Sequence, residues 1–132
     1  MKNKIISVAV SLVFIPVALL GQILGTYIGS FFAWFNQSIS WFSIPEFMQA
    51  ITTGLVGGFV AGMLSASVVY KVYKNVNVKF ATIIPSIVII IAFFGDTMTA
   101  INYSFDKIYL EHVVRNIFTI VIYYNSFKEL EK

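Results

Sequence analysis

The sequence contains no cysteine, which excludes disulfides, thiolate metal ligands, thioether-linked haem and a cysteine nucleophile together. A single histidine, His112, excludes the paired histidines of an H-E-x-x-H zinc site. No phosphate-binding glycine loop and no G-x-S-x-G elbow occurs, and the hydroxyl residues of the apolar stretches have no base beside them in sequence. The chain is therefore read as a non-enzyme with no cofactor and no bound metal. Charge is scarce too: 11% of residues are Asp, Glu, Lys or Arg, against about 25% in soluble domains. The net charge of +3 comes from lysines gathered in particular loops, not massed on one polar face, so no nucleic-acid partner is expected.

What the sequence has in excess is apolar surface. Hydrophobic residues make up 58% of 132 positions, more than one small core can hide from water. A single transmembrane domain, 1–132, with the lipid bilayer as its first partner, follows. The basic start followed by an apolar run also fits a secretory signal. No A-x-A-like cleavage site follows it, however, and the run continues past Gly21, so a retained first span is expected.

Apolar runs at about 5–35, 44–70, 80–101 and 108–124 predict an all-α bundle of four transmembrane helices with a cytoplasmic tail at 125–132. The first run would reach about 46 Å as a helix, well beyond a hydrocarbon core of about 30 Å, and Pro16 is where a kink would take up the excess. The fourth run reaches only about 25 Å, so it either spans or lies at the interface. Ser43-Ile44-Pro45-Glu46 has capping-box spacing, and Asn77 and Asp106 are N-cap candidates for the third and fourth helices.

Basic residues set the orientation. Lys2 and Lys4 precede the first run, Lys71, Lys74 and Lys79 fill the second connection, and Lys128 and Lys132 close the chain. Both termini are therefore expected in the cytoplasm, in a bacterial-type inner membrane. Trp34 and Trp41 would then sit at the outer interface, and Tyr70, Tyr73, Tyr123 and Tyr124 at the inner one.

Two rows of small residues repeat with one spacing: Gly21, Gly25, Gly29, Ala33, and Gly54, Gly58, Gly62, Ala66. Each row leaves one helix face as bare backbone, and in lipid such faces hold helices together by close approach. The first two helices are expected to pack antiparallel, each GxxxG-type groove receiving the other. Gly57, Ala61 and Ser65 widen the second face beyond one neighbour's need. That excess is read as contact with a second subunit or as pore lining.

The fourth run, YLEHVVRNIFTIVIYY, carries Glu111, His112, Arg115 and Asn116 on one side of its helix. With Asp96 they form a candidate polar cluster near the outer ends of the last two spans. Glu111 and Arg115 stand four apart in the favourable order for an ion pair. A charged group facing acyl chains is costly, so the stripe should face the bundle or water. Two functions fit. The first is an accessory, assembly or immunity-type subunit acting through helix contacts with a copy of itself or another membrane protein. The second is a small oligomeric channel or carrier with an outer polar vestibule.

Overall fold

The computed structural model describes residues 2–38 and 46–131. Every element is helical: α1 (Lys2–Val10), one 3-10 turn (Ser11–Val13), α2 (Phe14–Ser38), α3 (Glu46–Val72), α4 (Val78–Asn102) and α5 (Lys107–Glu131). Among the described residues three stretches are long and apolar enough to cross a membrane: Lys4–Phe31, Met48–Val72 and Val78–Asn102. α5 has the length, 25 residues, but interrupts its apolar surface with Lys107, Glu111, Arg115 and Lys128. It also runs on past Tyr124, where the apolar run ends, and Phe127 in this extension is fully buried.

Local chemistry sets the helix ends. The Asn77 side chain accepts from the Phe80 backbone N–H at 3.4 Å and caps α4. The Asp106 carboxylate accepts from the N–H groups of Ile108 (3.0 Å) and Tyr109 (3.3 Å) and caps α5. The capping box at Ser43-Ile44-Pro45 and Trp41 lie outside the described residues, as does the side chain of Ala33.

Pro16 does not split off the N-terminal piece. Its ring removes the N–H that would reach the carbonyl four residues back, and the chain tightens there into the 3-10 turn, with the Phe14 N–H donating to the Ser11 carbonyl. α1 stays packed on α4, with Ser7 and Ser11 fully buried. The Ser7 hydroxyl accepts from the Asn77 N–H at 2.7 Å.

Pro85 has a different consequence. α4 continues through it, but without an N–H at position 85 the Ala81 carbonyl loses its helical donor. The Tyr123 hydroxyl fills that vacancy, donating to the Ala81 carbonyl at 2.8 Å. Around it lies the apolar core: Phe14 meets Tyr123 edge to face at 4.9 Å, and Tyr123 meets Phe127 at 4.8 Å. Val69, Val76, Val78 and Ala66 close the cluster.

α3 lies between α2 and α5, and α4 leans on α5 and α1. A β-carbon built on Gly21 would fall 2.6 Å from the Ala61 Cα, and one on Gly29 would fall 2.9 Å from the Thr53 Cα. On Gly25 it would strike the Gly57 Cα. The α2 numbers rise as the α3 numbers fall, so the pair is antiparallel. The expectation that each glycine row receives the other needs correcting, because the Gly54 row faces α5. β-Carbons on Gly54, Gly58 and Gly62 would lie 2.8, 2.7 and 2.7 Å from the carbonyl oxygens of Glu111, Arg115 and Thr119. α3 has two neighbouring faces of small residues: Thr53, Gly57 and Ala61 against the glycines of α2, and the bare Gly54, Gly58 and Gly62 against α5. The surplus small arc that was read as a subunit or pore surface is thus covered from within the chain.

Two outcomes test this packing. Gly25→Ala should cost about 1–3 kcal/mol by forcing the helices apart. Gly95→Ala, where an added β-carbon meets nothing within 4 Å, should be neutral or gain up to about 1 kcal/mol of helix propensity. Unfolding in detergent followed by circular dichroism reads both. Tyr123→Phe should cost about 1–3 kcal/mol by stranding the Ala81 carbonyl. The cost should shrink in a Pro85→Ala background, where the restored N–H at position 85 takes over. An equal cost in both backgrounds would refute the compensation.

Candidate functional site

α5 owes its place to the glycines of α3. Because Gly54, Gly58 and Gly62 present no side chains, α5 lies flush on α3 and its polar stripe turns toward α4 on one side and α2 on the other. Asp96 comes from α4, and Gln22 and Thr26 come from α2.

The contacts form a chain. His112 Nδ1 lies 3.4 Å from Asp96 Oδ1, with the two side chains part-exposed. Asn116 Nδ2 donates to Asp96 Oδ2 at 3.2 Å. Gln22 Nε2 donates to Asn116 Oδ1 at 3.1 Å and to Thr119 Oγ1 at 3.2 Å. Thr119 in turn donates to the Arg115 carbonyl at 2.6 Å. Asn116 and Thr119 are buried. Each member leaves the next a matching donor or acceptor, which is what a buried polar group requires where no water competes.

Arg115 departs from the expected pairing. Among the described residues it forms no ion pair with Glu111, although the two stand four apart on one helix. Its stem crosses α3 at Gly57, where a β-carbon would lie 3.0 Å from the Arg115 Cδ. The guanidinium is thereby carried toward α2, where Nη1 donates to Thr26 Oγ1 at 3.3 Å. Asp96, the other carboxylate facing this region, is engaged by His112 and Asn116. The buried Arg115 Nε has no hydrogen-bond partner.

The site has a definite height on the helices. Gly21 lies against Ala61 and Gly25 against Gly57, so Gln22 is level with the middle of the Met48–Val72 stretch. The Arg115 stem, at Gly57, is about 5 Å from that level toward the end opposite the basic connection. Two hollows flank the cluster. One, of about 290 Å³, opens beside Asp96 and His112 between the end of α4 and the start of α5, walled by Tyr103, Asp106 and Tyr109. The other, of about 380 Å³, lies along α2 and is lined by Leu19, Gln22, Ile23, Thr26, Tyr27, Ser30 and the tip of Arg115.

The structure therefore brings Asp96, His112 and Asn116 together, sends Arg115 to α2, and adds Gln22, Thr26 and Thr119. A signal for the additions stands in the sequence: each glycine of the first row is followed by a polar residue, Gly21-Gln22, Gly25-Thr26, Gly29-Ser30. A residue beside a contact face points along its shoulder, into the neighbouring helix. Among the described residues no three His, Asp or Glu side chains come close enough to hold a metal ion. Comparison with protein-family models, curated proteins and solved structures finds no match, so function is argued from the site alone.

Asn116 is the hinge of the network. Asn116→Leu should destabilise the fold, because it removes one of the two Gln22 partners and leaves one Asp96 oxygen unpaired. Adding Gln22→Leu should cost less than the sum of the single changes, with a coupling of about 0.6–1.7 kcal/mol, the scale of interhelical hydrogen bonds in lipid. Additive costs in a double-mutant cycle would show that the contact carries no weight.

Proposed function

We propose that this chain is a four-span bundle, its first pair of helices held through GxxxG-type faces. In this reading it acts as an accessory, assembly or immunity-type subunit through helix contacts, without enzymatic activity. Both termini would be cytoplasmic in a bacterial-type inner membrane. The orientation draws support from the gathering of cations at one end: Lys4 lies over the Phe80 ring at 5.4 Å, and Lys79 and Lys128 line one hollow with Asn75 and Tyr124. α5 as a fourth span draws support from its 25-residue length, its fit along the whole middle of α3, and the inward turn of its polar stripe.

The single observation that carries the accessory reading is that the polar network ends blind. It descends from Asp96 to Gln22 and Thr119, and the next layer toward the basic end is Phe14, Ala66, Val69, Tyr123 and Phe127, all buried. A coupled transporter places exchangeable charge where both sides of the membrane reach it in turn. Here apolar and aromatic side chains close one half.

The channel or carrier reading keeps one observation of its own, the hollow beside Asp96 and His112, which is the shape of an outer vestibule. Reconstitution into liposomes separates the two. The accessory reading expects no ion flux or dye release above empty vesicles, and a stoichiometric membrane partner on gentle purification from the native host. Sustained flux lost in Asp96→Asn would overturn it.

A further inference from the structure

We propose that Arg115 is the docking point for a carboxylate carried on a membrane span of a partner protein, seated in the cleft along α2. This deepens the accessory reading and rests on it.

The guanidinium is left without a countercharge among the described residues, although Glu111 stands one turn away on the same helix. It has five N–H donors. One reaches Thr26, Nε has no partner among the described residues, Asp96 is engaged by His112 and Asn116, and Glu111 makes no ion pair with Arg115. An arginine at this depth is retained at a cost and pairs with an anion wherever one can reach it.

Depth selects the anion. The Arg115 stem crosses α3 about 5 Å from the middle of that helix, which is about 10 Å inside the edge of a 30 Å hydrocarbon core. A lipid phosphate rests outside that edge, whereas a residue on another transmembrane helix sits at this level without displacement.

The direction of opening selects a helix. The cleft faces sideways, with Leu19, Ile23 and Tyr27 exposed by 59%, 47% and 73%. A span lying there would cover these apolar side chains and present an Asp or Glu to the terminal nitrogens of Arg115. The hydroxyls of Thr26 and Ser30 stand beside it as further donors. Charge complementarity would then supply specificity, since a neutral span of the same shape leaves the guanidinium unpaired.

The test uses the full-length chain, donor-labelled, in phosphatidylcholine vesicles with an acceptor-labelled Leu/Ala transmembrane peptide. The peptide bears Glu, or Gln as its isostere, about 5 Å outside its centre. Energy transfer should show the Glu peptide bound about tenfold more tightly than the Gln peptide, a difference of about 1.4 kcal/mol. Arg115→Gln should abolish the preference. Ile23→Trp, at an exposed position that fills the cleft, should abolish it with Arg115 intact and thermal unfolding unchanged. Equal binding of both peptides, a preference that survives Arg115→Gln, or a preference erased by adding phosphatidylglycerol would each overturn the proposal; the last result would make a lipid anion the occupant. Donor-to-acceptor transfer between two labelled copies of the chain, lost on Arg115→Gln, would overturn it in favour of self-association. Flux measured in the same vesicles keeps the two levels apart. No preference and no flux removes only the docking site, while flux removes the accessory reading beneath it.

Discussion

The structure depends on small residues along two adjacent faces of α3 and on the glycines of α2 that meet one of them. In lipid there is no hydrophobic gain from bringing two apolar helices together, so association rests on close contact and on hydrogen bonds. Thr53, Gly57 and Ala61 let α2 approach until backbone faces backbone, and Gly54, Gly58 and Gly62 let α5 do the same. Because the two faces are neighbours, α2 and α5 also come within reach of each other across the edge of α3. Gln22 and Thr26 can then touch Asn116, Thr119 and Arg115. With larger residues on either α3 face the polar groups would remain on their separate helices, each needing a partner.

The same economy explains how two prolines are carried. Pro16 is absorbed by a turn of tighter helix, an adjustment internal to the chain. Pro85 leaves a carbonyl open, and the repair comes from another helix through the Tyr123 hydroxyl. One end of the bundle is thus locked by an aromatic cluster organised around a proline, and the other by a polar chain organised around Asn116. The division is chemical: apolar and aromatic side chains, with a few buried serine hydroxyls among them, fill the half toward the basic connection, and amides, an imidazole and a carboxylate fill the half away from it.

Much of this was legible in the sequence. Helical class, the three apolar stretches, the Asn77 and Asp106 caps and the two glycine rows follow from hydropathy and from local spacing, which one chain segment determines by itself. The pairing of the rows was not legible. Spacing tells which residues share a face, but not which helix that face meets, and the equal spacing of the rows invited the wrong match. The Glu111–Arg115 pair failed for a related reason. Four-residue spacing places two side chains within reach, yet Gly57 opened a path to α2 that no reading of α5 alone contains. Gln22 was visible as the one amide or charged residue between Ile5 and Phe35, and its importance appears only when Asn116 and Thr119 are set beside it.

Gly57 shows how helix packing and the proposed docking site share a residue. Its Cα lies where a β-carbon on Gly25 would fall, and its own missing side chain gives passage to the Arg115 stem. A side chain at this position would meet the Arg115 stem first and the Thr26 hydroxyl next, so it would displace the guanidinium from its place beside α2. A path across the membrane would have to open the Phe14–Tyr123–Phe127 cluster, and moving Tyr123 strips the Ala81 carbonyl of the donor that stands in for the N–H Pro85 lacks. The closed aromatic half and the sideways arginine are the two features on which the proposed accessory reading rests.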